Sequence, residues 1–238
     1  MFFSAYRQFC VSCLILTVGQ SIHAQSVQYE GRYATGIHNL RVDGRCFDVD
    51  FEQGSYFDVY GRTNPYFIGQ PAMADAAADE IRDVLNAEEG VPQVTKSESE
   101  LVWVPSQSVG PNRFRAEQVG HSTSSDPWRR YADFEGVKDH DWPAWELAKF
   151  REGPTVVYAD NTGFAVGINN LNVDGNCLDV RFAPGSFEEV YGRREPRYLG
   201  AEPWANLAST KIMNLLNAEP EVPEINKSDS EVLWIPTA

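Results

Sequence analysis

The stretch GIHNLRVDGRCFDVDF, residues 36–51, returns as GINNLNVDGNCLDVRF, residues 167–182, with five differences. The likeness runs without a gap from Gly36–Pro105 to Gly167–Pro236. A repeat of this size sets the architecture, and each copy tests what is proposed for the other. Inside the stretch, Asp43-Gly44 and Asp174-Gly175 separate two runs of alternating apolar and polar residues. Asp-Gly at that place predicts a two-residue hairpin turn, because a type I′ turn needs positive φ at both central residues. Such a turn sets Leu40 opposite Phe47, Val42 opposite Arg45 and His38 opposite Val49. Leu40, Val42, Phe47, Val49 and Phe51 then form a core face, and Asn39, Arg41, Cys46, Asp48 and Asp50 a polar one. In the second copy Leu171, Val173, Leu178, Val180 and Phe182 take the core side, with Asn170, Cys177 and Asp179 opposite.

Outward from the hairpin, Ser55–Tyr60 predicts a short turn or helix closed by Gly61. Met73, Ala77, Ile81, Val84 and Leu85 keep the stripe of a helix lying on a sheet, over Pro71–Ala87. Trp204, Ala208, Ile212, Leu215 and Leu216 hold the matching places. Asn86 and Asn217 suit a helix C-terminus. A third strand over Glu100–Val104 carries Trp103, whose twin is Trp234. The predicted fold class is α+β: two related β-β-α-β modules, each an antiparallel sheet with one helix packed on it. A lone hairpin is marginal in water, and the helix and third strand supply the missing burial.

Residues 106–153 have no counterpart in the second copy. Strands are predicted there over Phe114–Val119, Trp128–Phe134 and Trp145–Phe150. The segment either completes module 1 or links the modules. Trp128, Trp142 and Trp145 favour completion, since large aromatics pack. The expected plan is a signal peptide at 1–24, a complete module 1 at 25–151, a linker at 152–163 and a shortened module 2 at 164–238.

The N-terminus reads as an export signal. Arg7 precedes an apolar run, Cys10–Val18, and Ser21-Ile22-His23-Ala24 places a small residue at the expected cut, after Ala24. The run is shorter than the ~20 residues of a membrane span. The expectation is a secreted or periplasmic protein with no stable membrane span after cleavage; a retained N-terminal anchor is the alternative. The formal charge of −14 repels phosphate backbones and argues against a nucleic-acid partner. Cys10 and Cys13 leave with the signal. Cys46 and Cys177 remain, at the same place in the two copies, in a compartment that permits a disulfide. Both sit on the face away from their own module's core, whereas cysteine is usually buried. The other module is the nearest cover, so a Cys46–Cys177 disulfide or close contact is predicted.

The pattern A-x-G-I-x-N-L-x-V-x-G, a following D-V-x-F, a short S-F-x-x-V-Y-G, a helix ending L-N-A and a strand ending W-x-P resembles a family of small exported bacterial proteins. Many members carry a PEP-CTERM-type sorting tag. The resemblance rests on Ala34–Asn86 with Trp103–Pro105, and on Ala165–Asn217 with Trp234–Pro236. Family members often continue to a final W-A-x-F-like strand, which Trp145–Phe150 resembles. The resemblance thus implies a complete first module and a shortened second. This chain reads Thr237-Ala238 where the tag is expected. No activity is assigned to the family, so no catalytic residue is carried over.

The chemical motifs are weak. Gly120-His121-Ser122-Thr123-Ser124 lacks the second glycine of a nucleophile elbow. Asp48, Asp50 and Glu52 have the first spacings of a calcium loop, yet the second copy reads Asp179, Arg181 and Ala183. Asp139-His140-Asp141 places neighbours on opposite sides of an extended chain. Asn39 opposite Asp48, and Asn170 opposite Asp179, suit cross-strand hydrogen bonds. Arg62 with Arg193, Glu88 with Glu219, Lys96 with Lys227 and Glu100 with Glu231 recur in both copies. Ion pairs and caps explain these positions by default. Arg62, Arg193, Trp128, Trp142 and Trp145 remain the candidate ligand contacts. No catalytic residue, metal site or cofactor is expected. The favoured role is non-catalytic binding or structure outside the cytoplasm, with an extracellular glycan or protein as ligand. The alternative is an envelope hydrolase with its site between the two modules.

Overall fold

The computed structural model describes residues 14–17, 25–90, 92–94, 100–122, 126–139, 145–159, 163–196, 198–221, 223–225 and 233–236. The elements are β1 (Leu14–Thr17), β2 (Ser26–Glu30), β3 (Tyr33–Val42), β4 (Arg45–Gln53), α1 (Tyr56–Tyr60), α2 (Pro71–Ala87), β5 (Glu100–Gly110) and β6 (Arg113–His121). They continue with β7 (Arg129–Val137), β8 (Trp145–Glu152), β9 (Thr155–Tyr158), β10 (Ala165–Val173), β11 (Asn176–Pro184), α3 (Phe187–Tyr191), α4 (Glu202–Ala218) and β12 (Leu233–Trp234). The fold is α+β, with two sheets each contacted by helices. Among the described residues no helix is long and apolar enough to cross a membrane.

The Asp-Gly turns form as their chemistry demands: φ is positive at Asp43, Gly44, Asp174 and Gly175. Leu40 faces Phe47 and Val42 faces Arg45. The expected pairing of His38 with Val49 is corrected to Ile37 with Val49, because the register shifts between Ile37 and Leu40. Asn39 makes the bulge with φ of 57°, and Asn170 repeats it at 55°. Asn tolerates this left-handed geometry better than most residues. Beside the bulge the strands approach closely: a Cβ on Gly36 would lie 2.2 Å from the Val49 carbonyl oxygen, and one on Gly167 2.4 Å from that of Val180. Glycine is therefore needed at both places.

The first sheet has the order β2-β3-β4-β8-β5-β6-β7. The middle segment supplies three of its strands, and β8 runs between β4 and β5. β8 is antiparallel to β4 but parallel to β5, so the sheet is mixed and not wholly antiparallel as expected. The chain leaves β5 through the β6–β7 ribbon and re-enters the sheet in the direction of β5. One face buries Leu40, Phe47, Val49, Val102 and Ala148 against Ala77, Ile81 and Leu85 of α2. The other buries Trp103, Phe114 and Leu147 against Tyr56, Val59 and Tyr60 of α1. Two helices thus pack this sheet, where one was expected. Each short helix starts with a capping box, Ser55 with Asp58 and Ser186 with Glu189.

The second sheet has the order β12-β1-β11-β10-β9. β1 is antiparallel to β11 and parallel to β12. Ala205, Ala208, Ile212 and Leu216 form the buried side of α4. The chain divides into two compact units. The smaller comprises Met1–Gln20, Thr155–Asn169 and Asp179–Ala238; the larger comprises Ser21–Pro154 and Asn170–Leu178. The tip of the β10–β11 hairpin therefore belongs to the larger unit.

Candidate functional site

The predicted disulfide is present. Cys46 and Cys177 are bonded, with Cα atoms 5.6 Å apart and a sequence separation of 131. Both lie in the larger unit. Beside the bond, Asp48 is buried and its Oδ1 lies 2.9 Å from His38 Nδ1. Burial pushes the Asp48 carboxyl upward, but bonds from His38, Asn170 and the Asn39 N–H outweigh it and hold the carboxyl below its ordinary range. The Asn172 amide donates to the Gly44 carbonyl at 2.8 Å. The disulfide and these hydrogen bonds stitch the two hairpin tips within the larger unit.

The titratable clusters are also tied into the fold. His121 Nε2 lies 3.2 Å from Glu100 Oε2, and both side chains are fully buried. The Val94 N–H donates to the same Glu100 oxygen at 2.6 Å. Glu146 is pushed up to about 7 by burial and by the charges of Glu100 and Glu52. Glu117 is also raised to about 7, by burial and Asp133, against the opposing pull of Arg130. Arg130 bridges Glu117 and Asp75, each at 2.8 Å. Of the spaced carboxylates, Asp48 meets His38, Asp50 meets Arg151 and Glu52 meets Lys149. The Ser122 hydroxyl meets that of Tyr131 at 3.1 Å.

The candidate ligand contacts separate. Trp128 is buried; its indole N–H donates to the Pro92 carbonyl at 3.0 Å and its ring meets the His121 ring edge-on. Arg62 and Arg193 are exposed in the turns after α1 and α3, each behind a glycine of positive φ. Trp145 opens β8. Trp142, Lys96, Lys227, Glu231, His140, Asp141 and the cut after Ala24 lie outside the described residues. The recurring Glu88 and Glu219 accept matching bonds, from the Tyr29 and Tyr158 hydroxyls, each at 3.1 Å. Tyr158 and Glu219 border an open cleft of about 640 Å³ in the smaller unit.

The two copies differ most in what covers their helices. Tyr56 in α1 is 4% exposed and packs on Phe114 of β6 at 5.0 Å. Its twin Phe187 in α3 is 44% exposed. Met73 and Ala76 of α2 pack against the core, whereas their twins Trp204 and Leu207 are 39% and 36% exposed. The β6–β7 ribbon continues the first sheet beyond β5 beneath both helices. Among the described residues nothing continues the second sheet beyond β12. Phe57 of α1 is likewise 45% exposed, so the contrast holds for the twin positions and not for every apolar residue of the short helices.

No family model, curated protein or solved structure matches the chain.

Proposed function

We propose that the chain is an exported, non-catalytic binding protein built from two related β-β-α-β modules, which holds a polypeptide partner on its smaller unit. The duplicate reading is supported by paired details: the Asn39 and Asn170 bulges, the Tyr29–Glu88 and Tyr158–Glu219 bonds, and the two capping boxes. The resemblance to small exported bacterial proteins, the apolar run Cys10–Val18 and the disulfide support export, since disulfides persist in oxidising compartments.

The observation that carries the binding role is the exposure of Phe187, Trp204 and Leu207, where the matching Tyr56 of the other copy is buried and Met73 and Ala76 are half-buried against its core. A sugar site places polar groups around a flat ring, whereas a mixture of aromatic and aliphatic side chains suits a polypeptide. A photo-crosslinking residue at position 204, in protein exported by its own cell, tests this. The expected result is an adduct with one polypeptide, absent when the residue stands at the exposed, polar Arg62. Glycan binding that is lost in Trp204→Ser would contradict it.

A further inference from the structure

β1 stands in the smaller unit where β8 stands in the larger. Glu146 of β8 lies opposite Gln53 of β4 and Val102 of β5, and Leu147 lies opposite Glu52 and Trp103. Leu14 of β1 lies opposite Pro184 of β11 and Leu233 of β12, and Ile15 lies opposite Ala183 and Trp234. One offset, the 131 residues that separate the two cysteines, converts the first set of partners into the second. Strand directions agree too: antiparallel on one side, parallel on the other. α1 contacts β8 as α3 contacts β1. β8 is covered on both faces, with Leu147 in one apolar cluster and Ala148 and Phe150 in the other. A strand covered on both faces needs consecutive apolar side chains. Leu14-Ile15-Leu16 provides them.

We infer that the gap between β11 and β12 is a strand-acceptor site, held by the leader segment Leu14–Thr17 until cleavage after Ala24. After cleavage an apolar extended segment of another exported polypeptide enters it, antiparallel to β11 and parallel to β12. This deepens the binding role proposed above and rests on the export reading. Main-chain hydrogen bonds on both sides give such a site its affinity, and the side-chain pattern its selectivity. A second copy is a poor donor. Its β8 is central in its own sheet, its edge strands β2, β7 and β9 each expose much of their length, and its remaining edge strand β12 has only two residues.

The test uses the full chain, with a protease site introduced between Ala24 and Gln25 and cut after folding. A labelled peptide of Trp145–Glu152, the occupant of the matching place, serves as probe. The expected result is saturable uptake of one peptide per cut chain with release of fragment 1–24, and at least tenfold weaker uptake by the uncut chain. The peptide carrying Leu147→Lys and Phe150→Lys should not enter. Equal uptake by cut and uncut chains, or none by either, overturns the site. Dimers of the cut chain that exclude the peptide overturn the partner in favour of a second copy. Should the cut chain unfold, Leu16→Pro in the uncut chain gives a second reading: amide protection over 181–183 should fall while that over 165–169 holds, and unchanged protection overturns the site. N-terminal sequencing of the exported protein separates the two premises. Retention of Met1 overturns the exchange after cleavage, whereas peptide uptake reads on the gap alone.

Discussion

Cys177 is bonded to Cys46, the residue that holds its own place in the other copy. The bond closes 131 residues of chain, and on a chain-entropy account it stabilises by up to about 5 kcal/mol. The double variant Cys46→Ser, Cys177→Ser should lower the urea midpoint strongly, and dithiothreitol should do the same to the native chain but not to the variant. Mass mapping without reductant should recover the linked peptides.

Glu100 and His121 form a second internal tie, fully buried at 3.2 Å, with the Val94 N–H on the same carboxylate. Removing one member strands the rest. Glu100→Ala should cost about 3 kcal/mol, and His121→Ala a similar amount. The double variant should cost clearly less than the sum of the two, as measured by denaturant unfolding.

Glu146 makes stability depend on pH in an unusual direction. Its carboxyl titrates near 7 in the folded chain, above the ~4.3 of an unfolded glutamate. The native state therefore binds the extra proton. The stability gained is fully present below ~4.3 and is lost as pH rises through about 7, with a total on the order of 2 kcal/mol. Glu117 acts in the same direction. Asp48, held low, acts oppositely: its contribution is present above ~3.9 and is lost as pH falls through its depressed folded value. Unfolding midpoints should rise from pH 8 to pH 5, and Glu146→Gln should flatten part of that slope, leaving the share of Glu117, while raising stability at pH 8.

The twin aromatics should respond unequally. Tyr56→Ala removes a ring from a closed cluster and should cost about 3 kcal/mol. Phe187→Ala, at an exposed place, should cost less than about 1 kcal/mol. Equal losses would show that α3 is covered as α1 is.

The hairpin turns, the α2 stripe and the cysteine pair were legible because each is a local rule repeated twice. Asp43-Gly44 carries its own turn geometry, and Met73 to Leu85 carry the helix period. The Asn39 bulge was not legible, since Asn on a polar face reads equally well as a cross-strand partner. The entry of β8 between β4 and β5 was hidden for a different reason. Strand order depends on pairing between distant segments, and Trp145–Phe150 shows only that it is a strand. The candidate site was not legible, because the repeat gives Phe187, Trp204 and Leu207 the same apolar character as Tyr56, Met73 and Ala76 and carries no sign of what covers them. The place of Leu14–Thr17 was hidden by a second reading of the same residues, because a leader's apolar run and a strand between two others have the same composition.

Hydrogen exchange along β11 tests the central claim most directly. The amides of residues 181–183 should exchange slowly in the intact chain and at least tenfold faster once fragment 1–24 has been cut off and removed. Addition of the Trp145–Glu152 peptide should restore the slow rate. Exchange at 181–183 that is unchanged by removal of the fragment, with the rest of the sheet intact, would contradict the account.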